Sequence, residues 1–105
     1  MPANSRRWRS RAVNARVYKR TPAFRRAFDS LDSAKQATAT RVFKETFSKN
    51  PFDPKLKTHQ INRLSAIRRE TVWSAKVLPD LRVIFVVRGN EVISLDIGNH
   101  DSVYD

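Results

Sequence analysis

The sequence predicts an α+β fold in which two N-terminal helices pack on a small antiparallel sheet. Apolar residues with helical spacing occur before residue 50, whereas residues 72–97 are rich in the β-branched and aromatic side chains that favour strands. Helices followed by strands, rather than alternating with them, are typical of this class. A chain of 105 residues, of which 40% are hydrophobic, suits one core, so we expect a single domain over residues 13–105.

Residues 1–12 are expected to form a basic disordered arm, because they are polar, arginine-rich and without a periodic pattern. The whole chain has 21 Lys and Arg residues against 10 Asp and Glu, which favours a polyanionic partner such as nucleic acid. It has no cysteine, so disulfide scaffolds and thiol catalysis are excluded and a reducing, cytoplasmic setting is expected. The longest apolar run, residues 83–87, is far below the roughly 18 residues of a membrane span, so no membrane partner is expected.

The first half of the chain predicts a short strand and a helix. Residues 13–18 alternate between apolar and polar side chains, which indicates a strand. Thr21 is a suitable N-cap and Pro22 suits the first helical position. The apolar face of this helix then consists of Phe24, Phe28 and Leu31.

A second helix follows closely. Either Asp32 or Ser33 can cap it, and its apolar stripe consists of Ala39, Val42, Phe43 and Phe47. The helix is expected to end at Asn50, because the residue before a proline avoids the α conformation. Residues 59–64 fit either a short strand or an irregular segment.

Three strands are predicted over residues 72–78, 81–87 and 91–97, with Gly89 and Asn90 as a two-residue hairpin loop between the last two. That loop sets the strand register. The predicted facing pairs are Val86 with Ile93, Ile84 with Leu95, and Arg82 with Ile97.

The loop at Pro79 and Asp80 decides where Lys76 lies relative to Arg82. A two-residue loop places Lys76 opposite Val83, on the other face from Arg82, whereas a three-residue loop places the two cations on one face. We predict the longer loop, because two cations on one face form an anion site.

The C-terminal half collects groups that suit phosphodiester chemistry without a metal. These are Lys76 and Arg82, with His59, His100, Asp101 and Tyr104. Histidine exchanges a proton near neutral pH, cations stabilise a pentacovalent phosphorane, and tyrosine can stack on a base. Each residue also fits an ordinary structural role, as a solvated surface group, a polar turn or a sheet-edge anchor. A metal nuclease is not expected, because the chain has two histidines and its C-terminal aspartates lack the spacing of a carboxylate cluster.

Four segments carry a resemblance to a known family: residues 56–59 (LKTH), 72–77 (VWSAKV), 80–85 (DLRVIF) and 95–104 (LDIGNHDSVY). Together with the predicted helix pair, they resemble the RelE/ParE superfamily of bacterial type II toxins, in particular its RelE and YafQ branches. The resemblance implies a β-α-α-β-β-β fold. It also implies a metal-independent endoribonuclease, without a cofactor, that cuts mRNA in the A site of the 70S ribosome.

The resemblance also implies roles for individual residues. Arg82 matches the phosphate-stabilising arginine of RelE, and His100 matches the catalytic histidine of YafQ-like members. Tyr104 matches the C-terminal aromatic residue at the scissile nucleotide. Lys76 falls where RelE has a lysine and YafQ a histidine, and Asp80 falls on an acidic position of the YafQ pattern.

The remaining site residues complete this prediction. His59 resembles the histidine that precedes the sheet in histidine-bearing members and is a reserve proton carrier, while Asp101 is expected to orient His100. Ser74 stands where RelE has a second lysine, so the site mixes RelE-type and YafQ-type groups. The residues assigned to RNA binding are Arg82, Lys76 and Tyr104, with Arg63, Arg68 and Arg69.

The predicted function is a bacterial cytoplasmic toxin that cleaves mRNA, and a cognate acidic antitoxin covers its basic face in a hetero-oligomer. The 2′-OH of the RNA attacks the adjacent phosphorus and leaves a 2′,3′-cyclic phosphate and a 5′-OH. One alternative uses the same fold: a ParE-like inhibitor of DNA gyrase without RNase activity. Another is a non-catalytic basic protein that binds RNA or associates with ribosomes.

Overall fold

The computed structural model describes residues 16–99, which form a five-stranded sheet with helices on both sides. The elements in chain order are β1 (Val17–Arg20), α1 (Pro22–Asp29), α2 (Ser33–Val42), β2 (His59–Gln60), α3 (Asn62–Arg68), β3 (Trp73–Leu78), β4 (Leu81–Arg88) and β5 (Glu91–Gly98). A π-helical turn, Phe43–Phe47, continues α2, and a 3-10 turn, Pro54–Leu56, precedes β2. The predicted arm at residues 1–12 lies outside this described range.

The strand order in the sheet is β1-β5-β4-β3-β2. The predicted α+β class is confirmed, but the sheet is mixed, because β1 runs parallel to β5 while the other neighbours are antiparallel. Parallel neighbours need a long connection. The chain between β1 and β5 contains all three helices and the other three strands, which allows the first and last strands to meet in parallel.

Capping residues start the first two helices, as predicted. The Oγ1 atom of Thr21 accepts a hydrogen bond from the Phe24 N–H at 3.1 Å, with Pro22 at the first helical position. Asp32 is the N-cap of α2, where its Oδ1 accepts from the Lys35 N–H at 2.8 Å. This resolves the choice between Asp32 and Ser33 in favour of Asp32.

The main core lies between the sheet and the α1–α2 pair, on what we call the helix face of the sheet. Its buried side chains include Phe24, Phe43, Phe47, Leu56, Leu81, Val83 and Phe85. A smaller core lies on the opposite face, which we call the distal face. There Val72, Ile84 and Val86 are buried against Ile61 and Leu64.

Helix α3 begins within the stretch that the sequence left open between a strand and an irregular segment. Residues 59 and 60 form the short strand β2, and α3 follows directly. The sequence did not predict this helix, because it has seven residues, none of them fully buried, and no side-chain cap. Ser65 holds it to the sheet instead, since its hydroxyl donates to the Ile61 carbonyl at 2.7 Å and accepts from the Val72 N–H at 2.8 Å.

A β-bulge in β5 changes the predicted hairpin register. Near the loop Val86 faces Ile93 as predicted, but beyond Phe85 the pairs are Ile84 with Asp96 and Arg82 with Gly98. The predicted pairs of Ile84 with Leu95 and Arg82 with Ile97 are therefore wrong, and Leu95 is the extra residue of the bulge. In an unbroken register the Asp96 carboxylate would face the fully buried Val83, at a large desolvation cost.

A second bulge lies in β3. Leu78 pairs with Leu81 across a loop of two residues, Pro79 and Asp80. The next pair is Lys76 with Arg82, so Val77 is an extra residue on β3 between the two pairs. The predicted three-residue loop is therefore wrong, whereas the predicted shared face of Lys76 and Arg82 is confirmed. The unbroken register would have placed Lys76 opposite Val83 in the core, which explains why the strand shifts.

Thr21 connects the start of α1 to the bulge in β5. Its hydroxyl donates to the carbonyl of Leu95 at 2.9 Å while it also caps the helix, and its N–H donates to the Ser94 carbonyl at 3.0 Å. We expect Thr21→Val, which keeps the shape and removes the hydroxyl, to lower the free energy of unfolding by about 1–3 kcal/mol. Urea unfolding measures this loss. Thr21→Ser should retain most of the wild-type stability, and a Thr21→Val protein as stable as the wild type would contradict both hydrogen bonds.

Candidate functional site

Two cationic side chains lie directly opposite each other on the distal face. Lys76 on β3 pairs with Arg82 on β4, and facing residues of antiparallel strands have Cβ atoms about 4.5–5.5 Å apart. Both side chains are partly exposed, and within residues 16–99 neither forms a salt bridge. Two adjacent positive charges without a carboxylate partner make a site for an anion.

Two further titratable groups flank this cationic pair. The facing residues His59, Ser74, Ile84 and Asp96 form a row across β2, β3, β4 and β5. Lys76 and Arg82 lie two residues along their strands from this row, on the same face. Lys76 is therefore a diagonal neighbour of His59, and Arg82 is one of Asp96, at typical separations of about 7–8 Å. Ser74 and Ile84 are buried, and they separate an imidazole at one end of the row from a carboxylate at the other.

His59 is exposed, and its ring is oriented by the backbone. Its Nδ1 lies 3.1 Å from the carbonyl oxygen of Lys57. A carbonyl oxygen can only accept a hydrogen bond, so the neutral ring that makes this bond carries its proton on Nδ1. The Nε2 lone pair is then the position of His59 that can exchange a proton.

Asp96 is a site residue that the sequence reasoning missed. Its Oδ1 accepts a hydrogen bond from the Ile97 N–H at 2.8 Å, and within residues 16–99 it forms no salt bridge. Burial raises the pKa of its carboxyl group, and the Ile97 N–H opposes this effect. One pattern could have indicated its place, since an acidic residue at a core-facing position of a strand points to a register shift.

Asp80, for which the sequence resemblance predicted an acidic site position, forms an exposed salt bridge in this fold. It lies in the β3–β4 turn, where Lys35 Nζ is 3.1 Å from its Oδ2. The hydrogen bond and charge of Lys35 lower the pKa of the Asp80 carboxyl group. A carboxylate of low pKa that is already paired is a poor proton acceptor.

The predicted RNA-binding arginines lie on α3 or at its end, beside the distal face. Arg63, Arg68 and Arg69 are all exposed. Arg68 lies 3.7 Å from Glu70, whose carboxylate also accepts two hydrogen bonds from Arg88, at 2.7 and 3.0 Å. The charge of Arg68 is therefore partly balanced, whereas Arg63 and Arg69 form no salt bridge with any described residue.

His100, Asp101 and Tyr104 lie outside the described residues, so their predicted roles stay predictions. The described strand β5 ends at Gly98, which pairs with Arg82. In the sequence, the three residues follow this strand end within six positions of Gly98.

A groove of about 280 Å³ lies on the helix face, remote from the distal-face groups. Its walls include Phe24 and Phe43, and the guanidinium of Arg20 lies 5.6 and 6.0 Å from the centres of these two rings. None of the predicted site residues lines this groove. Lys76 and Arg82 lie instead on the distal face, where both side chains are partly exposed.

The described residues contain no group of three or more His, Asp or Glu side chains arranged to hold a metal ion. None of the helices in the same range is long and apolar enough to cross a membrane.

Solved structures similar to this chain include bacterial and archaeal toxins. YafQ from Escherichia coli strain BL21(DE3) is 13% identical, with a TM-score of 0.66 over 86% of this chain and 99% of YafQ. The archaeal RelE–RelB complex from Pyrococcus horikoshii OT3 contains a chain that is 17% identical, with a TM-score of 0.61 over 81% of this chain and 94% of that one.

The toxin–antitoxin complex RelBE2 from Mycobacterium tuberculosis gives a similar result. One of its chains is 15% identical, with a TM-score of 0.64 over 82% of this chain and 99% of that one. No protein-family model and no curated protein matches the sequence. These likenesses confirm the predicted resemblance at the level of the fold: the chain has the RelE-like fold that YafQ and RelE share.

Proposed function

We propose that this protein is the toxin of a toxin–antitoxin pair and acts as an endoribonuclease on mRNA. The observation that carries the proposal is the placement of Lys76 directly opposite Arg82, without a carboxylate partner among the described residues. The RelE-like fold and the net charge of +11 support the same conclusion.

The cationic pair holds the scissile phosphate and stabilises the charge that develops on it. The ribose 2′-oxygen attacks the adjacent phosphorus in line, and the bond from phosphorus to the 5′-oxygen breaks. Arg82 and Lys76 bind the non-bridging oxygens, which carry an additional negative charge in the phosphorane. Because the nucleophile belongs to the RNA itself, the protein needs only to align the linkage, stabilise its charge and transfer protons.

Proton transfer and base positioning are assigned to the C-terminal residues. His100 acts as a proton-transfer group, Asp101 orients it, and Tyr104 stacks on a base beside the scissile linkage. His59, a diagonal neighbour of Lys76 on the distal face, is the reserve proton carrier. The chemistry requires no metal ion.

The proposed partners follow from charge and from the similar structures. The archaeal RelE was solved in complex with RelB, and RelBE2 was solved as a toxin–antitoxin complex. We propose that an acidic antitoxin covers the basic surface of this chain. The proposed substrate is mRNA, bound on the ribosome, in the bacterial cytoplasm. Binding to RNA should weaken steeply with salt, because cationic side chains replace the counterions of the phosphates.

Expression of the full chain in bacteria tests this function. Primer extension on a translated message should show new 5′ ends at fixed positions within codons. The products made by the purified protein with translating ribosomes should end in a 2′,3′-cyclic phosphate and a 5′-OH.

Two outcomes would overturn the proposal. Growth arrest without mRNA cuts, together with DNA gyrase trapped on DNA, would indicate a ParE-like inhibitor. RNA or ribosome binding that produces neither RNA cleavage nor gyrase poisoning would indicate a non-catalytic protein.

A further inference from the structure

We propose that Asp96 is the general base of this reaction and takes the proton from the attacking 2′-OH. The inference rests on the proposed function. It assigns the base to a residue of the described sheet, and it rests on the β5 bulge, the strand pairing and the free carboxylate oxygen of Asp96.

The pairing places Asp96 where a base is needed. Asp96 faces Ile84 across β5 and β4, and Arg82 is two residues from Ile84 on the same face. Asp96 and Arg82 therefore occupy diagonal positions, which are typically about 7–8 Å apart. A phosphate held between Arg82 and Lys76 would be bound on the face of the sheet that also carries Asp96.

The bulge interrupts the regular pairing of β5 with β4 and thereby places Asp96 at this position. Bulges occur often beside active sites, where they redirect a side chain. Here the extra residue Leu95 turns the Asp96 side chain away from the core and onto the face that carries Arg82. Thr21 stabilises this geometry, since its hydroxyl donates to the carbonyl of Leu95.

The other acidic side chains in the described range cap helical turns, form salt bridges or lie away from the cationic pair. Asp32 and Asp53 cap helical turns, and Glu70 and Asp80 form salt bridges with arginine or lysine. Glu91 also lies in β5, but at its opposite end, where it is paired with Lys19 at 2.6 Å. Asp29 and Glu45 are exposed on the helical segments that pack on the helix face.

The carboxylate of Asp96 has the chemical properties that a base requires. Its Oδ1 is held by the Ile97 N–H, and its Oδ2 has no hydrogen bond from residues 16–99. Burial raises the pKa of the group, which makes the ionised form more basic than an exposed aspartate.

The step balances without a further reactant. Asp96 Oδ2 takes the 2′-hydroxyl proton as the 2′-oxygen bonds to phosphorus, and the 5′-oxygen leaves with a proton supplied by a protonated imidazole, which regains it from solvent. Asp96 then returns its proton to solvent.

Asp96→Asn separates this role from a structural one. The asparagine side chain keeps the oxygen that accepts from the Ile97 N–H but cannot act as a base. We expect single-turnover RNA cleavage to fall about 10²- to 10⁴-fold, with RNA affinity within about threefold of the wild type. Glu91→Gln is the matched control, because it removes the same charge from the same strand, and its cleavage rate should stay within about threefold.

The melting temperature provides a second measurement. A carboxyl group whose pKa is raised by folding stabilises the protein below its unfolded pKa, and this contribution is lost as the pH rises through the folded pKa. At pH 7 the ionised Asp96 therefore lowers the stability of the folded protein, so Asp96→Asn should melt at or above the wild-type temperature. A large decrease would indicate a structural role and overturn the proposal.

An RNA with a sulfur in place of the scissile 5′-oxygen identifies which proton Asp96 moves, because a thiolate leaves without protonation. If Asp96 is the base, Asp96→Asn stays impaired on this substrate. Recovery of the wild-type rate would make Asp96 an acid and overturn the proposal, as would wild-type cleavage of ordinary RNA by Asp96→Asn. If the wild-type protein itself cleaves no RNA, the proposed function fails first, so the two failures are distinguishable.

Discussion

Arg82→Ala is expected to lower the rate of RNA cleavage about 10²- to 10³-fold, the usual effect of removing one stabiliser of transition-state charge. Arg82 is the central cation of the site, because it lies on β4 between Lys76 on one neighbouring strand and Gly98 on the other. Its side chain points away from the main core, so the substitution should not disturb folding. Single-turnover kinetics of the purified full chain, with circular dichroism as a check on the fold, measures the effect.

Two further variants sharpen this test. Arg25→Ala removes an exposed arginine from α1, on the other side of the sheet, and should leave the rate within about twofold. Arg82→Lys keeps the charge but loses the two-pronged contact with phosphate oxygens, so an intermediate rate is expected. Equal losses in Arg82→Ala and Arg25→Ala would show that total charge, not this site, governs activity.

Phe85→Ala is expected to lower the free energy of unfolding by about 3–5 kcal/mol, the range for deletion of a buried aromatic ring. Phe85 is fully buried in β4 and contacts Phe47 and Phe52 edge-on, with ring centres 5.1 and 5.9 Å apart. A domain of this size is stable by only about 5–15 kcal/mol, so the loss is a large part of the total. Urea unfolding measures it directly.

Val87→Ala is the matched control for this core substitution. Val87 lies two residues further along β4 and is 37% exposed, so its truncation should cost less than about 1 kcal/mol. Similar losses for the two variants would mean that Phe85 is not at the centre of the core.

The elements that local chemistry controls could be predicted from the sequence. Thr21 and Asp32 cap helices because their side-chain oxygens accept backbone N–H bonds, which needs no knowledge of the remaining chain. The Gly89–Asn90 loop is also a local feature. Glycine readily adopts the positive φ of 60° that Gly89 has, and a two-residue hairpin loop fixes the register of the pairs next to it. The α+β class also followed from patterns along the chain.

The two bulges could not be predicted from residue patterns alone. A register shift depends on the strand opposite, and the apolar run of β4 fits several registers. Lys76 and Asp96 indicate the two register shifts, because each would face buried Val83 in the unbroken pairing. The prediction for Lys76 reached the correct face through a longer loop, and Asp96 was missed.

Long-range contacts account for the other differences. Helix α3 is held by its contacts with the distal face and by Ser65, not by strong local preference. The parallel pairing of β1 with β5 joins segments more than 70 residues apart, as in the Arg20–Ser94 pair. Neither contact leaves a pattern within a short window of sequence.

A double-mutant cycle on Lys76→Ala, Arg82→Ala and the double variant tests most directly whether the two cations bind one phosphate. If both cations bind the same phosphate, the loss of cleavage rate in the double variant should be smaller than the product of the single losses, with a coupling of about 0.5–3 kcal/mol. Losses that simply multiply would show that the two side chains act at separate places, and would contradict a single phosphate site between β3 and β4.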